Sequence, residues 1–143
     1  MLWKGDKWIL EGRKGSIKEM KSMAKLGDPL VNLIFSLTKS LIYNKASGSK
    51  VKGRCLSRAI EKANIRKFFP KRLDSHDIGD FLEAIVATLW LDGVFDLKEL
   101  CTYLSNEIKS KFNVENMKEE DLMVITFEMF LERYNEEVLK LLT

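Results

Sequence analysis

Glutamine is absent from this sequence, histidine occurs once, and proline and cysteine occur twice each. The two cysteines, Cys55 and Cys101, form no Cys-x-x-Cys pair. That argues against a disulfide framework and for free thiols in a reducing compartment. No spacing of Cys and His suits zinc, no phosphate-binding loop is present, and no segment repeats. An uninterrupted apolar run of about eighteen residues is missing, as is a basic leader followed by an apolar stretch, so neither a transmembrane helix nor a signal peptide is expected. The expectation is a cytoplasmic protein with no membrane partner. Lys and Glu are abundant where Gln is not, a bias also found in proteins of hyperthermophiles.

What the chain does have is charge, unevenly spread. Lys and Arg number 24 and Asp and Glu 21, for a net +3. Residues 1–72 hold 18 basic and 5 acidic side chains, a net +13, whereas residues 73–143 hold 6 and 16, a net −10. Such a division suggests a nucleic-acid partner for the basic half. Ion pairs made across the fold account for it equally well, because charge patterning speaks to association more than to fold. One domain is expected, and at this length it buries about two thirds of its unfolded surface without cross-links.

Trp3, Trp8, Ile9 and Leu10 around Gly5-Asp6 suit either a short hairpin or a loop laid over the core, so residues 1–15 are set apart as an extension of a helical domain over 16–143. Ser16-Ile17-Lys18-Glu19 has the capping-box pattern and opens a helix to about Lys25. Pro29 disfavours helix at Asp28 and suits the first turn of a new one, with Asp28 as its N-cap. A break is therefore expected there. The second helix runs from Leu30 to about Tyr43, and Leu30, Val31, Leu33, Ile34, Leu37, Leu41 and Ile42 make it apolar enough to be central. Residues 44–53 read as a small basic loop. A helix over about 54–64 follows, with Arg54, Arg58 and Lys62 in one stripe. Together with Lys50, Lys52, Arg66, Lys67, Lys71 and Arg72 they form a basic stretch able to follow a phosphate backbone, or an ordinary solvated face. Phe68-Phe69-Pro70 is expected to end this region as an apolar plug. Asp96-Leu97-Lys98-Glu99 opens a helix to about Phe112 with Leu100, Cys101, Leu104 and Ile108 inward. One last helix over about 118–142, capped by Asn116, carries Met123, Phe127, Phe130, Leu131, Tyr134 and Val138 in a stripe. The fold class is all-α, with at most a small N-terminal hairpin.

The most informative stretch is residues 77–93. Ile78, Phe81, Leu82, Ile85, Val86, Leu89 and Trp90 recur at helical spacing, Ser75 or Asp74 can cap the start, and Gly93 follows the end. Asp80 and Glu83 emerge as neighbours on this helix and repel unless something compensates, as a divalent cation would. His76, one turn before Asp80, is a surface or capping residue more readily than a base. Gly79-Asp80-Phe81-Leu82-Glu83-Ala84, with Leu89-Trp90-Leu91-Asp92-Gly93, resembles the second catalytic motif of the ribonuclease III family. Leu26-Gly27-Asp28-Pro29-Leu30-Val31 resembles the core of that family's signature helix. Gly53-Arg54-Cys55-Leu56-Ser57-Arg58-Ala59 is similar to the segment between them.

The resemblance implies a ribonuclease III-like helical endonuclease domain that hydrolyses double-stranded RNA. It implies Asp28, Asp80 and Glu83 as catalytic residues and ligands of Mg²⁺, with Mn²⁺ as the alternative ion, and a homodimer whose seam draws on Leu33, Phe35 and Leu37. Hard divalent cations take oxygen ligands of this kind and stabilise charge on a reacting phosphate. The departures are as specific as the matches. Ala24 stands where the family has a Glu four residues before the Asp, Lys21 replaces the Glu further upstream, and Pro29 replaces a small residue. Minimal members, Mini-ribonuclease III, are similar in the first respect and lack a separate double-stranded-RNA-binding domain, and none is expected here either. Two other readings stay open: a non-catalytic RNA-binding or ribosome-associated relative, and a helical interaction domain, which leaves the paired carboxylates unexplained.

Overall fold

The computed structural model describes the backbone of residues 3–4, 7–8 and 17–143, and side chains from Met20 onward. The expected capping box at residues 16–19 lies outside the described side chains. Two short strands, β1 (Trp3–Lys4) and β2 (Lys7–Trp8), pair antiparallel with Trp3 opposite Trp8, and the other described elements are helices. The helices are α1 (Ile17–Tyr43), α2 (Gly53–Lys62), α3 (Ser75–Leu91), α4 (Leu97–Lys111), α5 (Glu119–Arg133) and α6 (Asn135–Leu142), with a 3₁₀ turn at Arg66–Phe68. The all-α expectation holds. No described helix is long and apolar enough to cross a membrane.

The central helix is α3. Every residue from Ile78 to Leu89 except Asp80 is buried, so α3 is apolar nearly all round and is enclosed by α1 and α2. Its ends follow from local chemistry. Asp74 accepts a hydrogen bond from the Asp77 N–H at 2.8 Å, and Gly93 takes φ +76° where the chain leaves the helix. The Val94 N–H reaches the Leu89 carbonyl at 2.9 Å and the Gly93 N–H the Trp90 carbonyl at 3.0 Å, closing the last turn. Trp90, expected inward, is 39 % exposed.

The expected break at Asp28-Pro29 is absent: α1 runs 27 residues with Pro29 inside it. An interior proline removes one helical hydrogen bond, here to the Lys25 carbonyl, and costs about 3 kcal/mol. The packing on either side outweighs it. Met20, Met23, Ala24, Leu30, Val31, Ile34 and Phe35 are all buried along one face, and burying a large apolar side chain contributes roughly 1.5–3 kcal/mol. Lys25 and Pro29 are exposed, so the interruption faces water. Leu33 and Leu41 are exposed as well, and α1 is therefore a flanking helix and not the central one.

α1 crosses α3 in close backbone contact. A Cβ added to Gly27 would stand 1.9 Å from the Glu83 carbonyl oxygen, inside any permitted contact. α2 packs on α3 and α5, and Gly79 lies against the backbone of Gly53 at its start. α4, capped by Asp96 as expected, covers α1 with Leu100, Cys101, Leu104 and Ile108 buried. The single last helix expected over 118–142 is instead α5 and α6, separated at Tyr134 and preceded by Lys118 in place of Asn116. All six expected stripe residues are nonetheless buried. At the break the Tyr134 ring packs against Phe130 and Phe95, with centroids 5.0 and 5.7 Å away. Phe69 is buried edge-on to Phe81 at 5.2 Å, while Phe68 is 37 % exposed, so half of the expected plug faces solvent.

The close crossing yields a direct test. Gly27→Ala should lower the thermal midpoint by on the order of 5–10 °C, because the new methyl meets backbone that cannot rotate away. Gly48→Ala, where nothing lies within 4 Å, serves as the control and should change little. Equal midpoints for the two variants would show that α1 and α3 do not touch at Gly27.

Candidate functional site

The crossing determines what the site contains. Gly27 brings the α1 backbone against α3 at Glu83, and Asp28, the next residue, opens into the same cleft as Asp80 and Glu83. Lys21, Ala24, Lys25, Lys50 and His76 complete its lining. Asp28 lies well inside α1, so the N-cap role expected from Asp28-Pro29 is overturned: an N-cap precedes the helix, and here helix runs through it.

Glu83 is the buried member, 8 % exposed, whereas the Asp28 side chain is 40 % exposed and that of Asp80 is 22 % exposed. Burial pushes its carboxyl up from 4.5 to about 8, with Asp28 and then Asp80 adding to the rise. Near neutral pH Glu83 therefore carries a proton. Each aspartate at the rim has a basic neighbour: Lys50 Nζ is 3.6 Å from Asp28 Oδ2, and His76 Nε2 is 3.5 Å from Asp80 Oδ2. Lys21 Nζ, one helical turn before Lys25, stands 3.3 Å from Asp77. Ala24 is buried in the wall where a longer acid would reach into the cleft. Among the described residues no three His, Cys, Asp or Glu side chains are arranged as a ready-made metal site. The carboxylate donors are nonetheless all oxygen, the set Mg²⁺ prefers.

The basic stretch divides in two. Arg54 grips Glu120 of α5 through both Nε and Nη2 at 2.8–3.1 Å, and Lys52 Nζ joins it at 2.8 Å. Together Arg54 and Lys52 hold the Glu120 carboxyl down at about 2. Lys39 and Ser49 bind the adjacent Glu119. Arg58 and Lys62 line a shallow depression with Asp121. Arg66 donates to the Leu73 carbonyl at 3.0 Å, Lys67 stands 5.4 Å over the Phe68 ring, and Lys71 and Arg72 are exposed. Ion pairing across the fold thus occupies Lys52 and Arg54. Its signal in the sequence is the acidic run Glu119-Glu120-Asp121, which opens α5.

Sequence reasoning also missed how Lys50 reaches the site. Asn32, Ser36 and Ser40 lie four residues apart along α1, and all three hydrogen-bond the backbone of residues 47–51. That polar stripe was the available sign.

The sequence profile of the family described as Ribonuclease III matches residues 21–138. The chain belongs to the ribonuclease III family. This is a family of RNA endonucleases that act on structured RNA and are generally Mg²⁺-dependent, and the match spans all three carboxylates. No curated protein sequence matches the chain.

The raised Glu83 carboxyl has a sign that can be measured. The folded protein keeps a proton that the unfolded chain releases above about 4.5, so between about 4.5 and about 8 this group lowers stability as pH rises. In metal-free buffer the thermal midpoint of Glu83→Gln should overtake that of the wild type progressively from pH 5 to pH 8. A constant difference across that range would mean that Glu83 titrates normally.

Proposed function

We propose that this protein is a metal-dependent endoribonuclease that hydrolyses phosphodiester bonds of double-stranded or structured RNA, with Asp28, Asp80 and Glu83 as catalytic residues and Mg²⁺ ligands. The observation that carries the reading is the convergence of these carboxylates in one cleft, where burial, and then the neighbouring Asp28 and Asp80, push the Glu83 carboxyl up to about 8. A bound Mg²⁺ supplies charge stabilisation on the phosphate and lowers the pKa of a coordinated water. Asp28 and Asp80 would hold it from facing helices, and Glu83 would join on losing its proton. His76 would help to orient Asp80. In the reaction a water oxygen bonds to phosphorus, the bond from phosphorus to the 3′ oxygen breaks, and that oxygen takes up a proton, leaving 5′-phosphate and 3′-hydroxyl ends.

Duplex RNA would be read by shape and backbone, with little sequence preference. Lys50, Arg58, Lys62, Arg66, Lys67, Lys71 and Arg72 are the phosphate contacts in this reading. Lys52 and Arg54 would join after release from Glu120. Residues 16–143 would form the ribonuclease domain and residues 1–15 its extension. The buried free thiols Cys55 and Cys101 suit a cytoplasmic setting.

The competing reading, an RNA-binding relative without chemistry, is favoured by Ala24 in the cleft wall. Cleavage of long duplex RNA with Mg²⁺ and with EDTA decides between them. The wild type should cleave with Mg²⁺ alone, and Glu83→Gln and Asp28→Asn should each lose at least about 100-fold, the scale of removing a preorganised electrostatic group. Asp28→Asn is informative because it keeps the shape of the side chain, which lies inside α1, and removes the charge that a hard metal ligand supplies. Absence of Mg²⁺-dependent cleavage by the wild type would leave the non-catalytic relative as the better account.

A homodimer is also proposed. Leu26, Leu33 and Leu41 are 38, 50 and 40 % exposed on α1 and, with the partly buried Leu37, form an isologous seam in this reading. Phe35, expected in that seam, is fully buried and belongs to the monomer core. Light scattering at micromolar concentration should give twice the 16.6 kDa chain mass, and Leu33→Asp should reduce it to one. A wild-type mass of one chain over a range of salts would count against the dimer.

A further inference from the structure

Residues 44–52 leave the end of α1 and run back along it as an extended strap. The Ser47 N–H donates to Ser40 Oγ at 3.0 Å, the Ser49 N–H to Ser36 Oγ at 2.9 Å, and the Val51 N–H to Asn32 Oδ1 at 2.7 Å. Alternate amides are thus tied to side chains one helical turn apart, which sets the strap's register on α1. Lys50 lies between the last two ties, and its ammonium stands 3.6 Å from Asp28 at the edge of the carboxylate cleft. An ion pair with a lysine side chain 77 % exposed is too weak to hold that lysine in place. The strap positions it.

We propose that Lys50 is a substrate-binding residue of the cleavage site, its ammonium taking a non-bridging oxygen of an RNA phosphate at the Asp28 edge of the cleft. This rests on the endoribonuclease reading above. While the cleft holds no cation, the ammonium offsets Asp28. With Asp28 committed to a cation, the ammonium loses that partner and an RNA phosphate becomes its nearest anion. Lysine suits the task as a compact charge on a long stem that swings without disturbing the strap. Lys50 transfers no proton in the hydrolysis; it stabilises negative charge as the water oxygen bonds to phosphorus and the 3′ oxygen departs. The neighbouring basic side chains are placed differently, since Lys21 lies against Asp77 and His76 against Asp80.

The test uses the full chain with Lys50→Met and Lys50→Arg. Three quantities are read: single-turnover cleavage of duplex RNA with Mg²⁺, the salt dependence of RNA binding, and calorimetric Mn²⁺ binding without RNA. Lys50→Met should slow single-turnover cleavage by about 10- to 100-fold. It should also reduce the salt slope by about one. Lys50→Arg should recover most of both. Mn²⁺ should bind Lys50→Met several-fold more tightly than the wild type, because the ammonium no longer competes for Asp28, an effect that a merely structural lysine would not produce. Unchanged cleavage and salt slope in Lys50→Met, with an active wild type, would overturn the role of Lys50 and leave the endoribonuclease reading standing. Weaker Mn²⁺ binding in that variant would overturn it too, and an inactive wild type would remove both proposals.

Discussion

The contact between the backbones of α1 and α3 at Gly27 is the constraint on which the rest of the arrangement depends. With no Cβ at that position, the helix can lie against the Glu83 carbonyl, and any side chain would force the pair apart at this point. Because Asp28 follows Gly27 directly, the same contact decides that its carboxylate opens beside Glu83. A sub-ångström change in helix separation would be felt at the site first, since close-packed interiors transmit strain and do not absorb it. Packing and chemistry share one residue here, and the glycine has its physical reason in the approach of two chains, not in a turn.

The parts of the fold legible in the sequence are those determined by local chemistry. Asp74 and Asp96 cap α3 and α4 because a short carboxylate can reach the amide three residues on, and that relation is visible in the letters. Gly93 ends α3 for an equally local reason. Pro29 was misleading because its cost is local, about 3 kcal/mol, while the compensation comes from side chains buried against α3 and α4, which a linear reading cannot sum. The break at Tyr134 is the converse case, in which a continuous stripe of buried residues spans two helices and an aromatic cluster stands at the junction.

The candidate site was legible as a set of residue types and not as a geometry. Spacing put Asp80 and Glu83 on one turn, but only the helix crossing brings Asp28 to them, and only burial separates the protonated Glu83 from the solvated aspartates. The basic half of the chain carried two meanings at once. Arg54 presents a planar fork that fits the Glu120 carboxylate as it would fit a phosphate, so the same side chain can serve the fold or a nucleic acid. Composition records that a charge is present and leaves its partner undetermined.

The charge balance of the cleft ties these observations together. Asp28, Asp80 and a glutamic acid whose carboxyl burial pushes up to about 8 share the cleft with Lys21, Lys25 and Lys50, while Ala24 contributes no carboxylate. A cluster of four ionised acids would repel an approaching RNA strand until cations had bound; this cleft has little negative charge to overcome. The converse follows from linkage. In the proposed reading, a cation entering the cleft would have to displace the proton on Glu83 and draw Asp28 away from Lys50, so its affinity would rise with pH up to about 8. In the proposed reading, Ala24 and Lys21 in place of two acids would act in the same direction, trading grip on a metal ion for ease of approach by the polyanion.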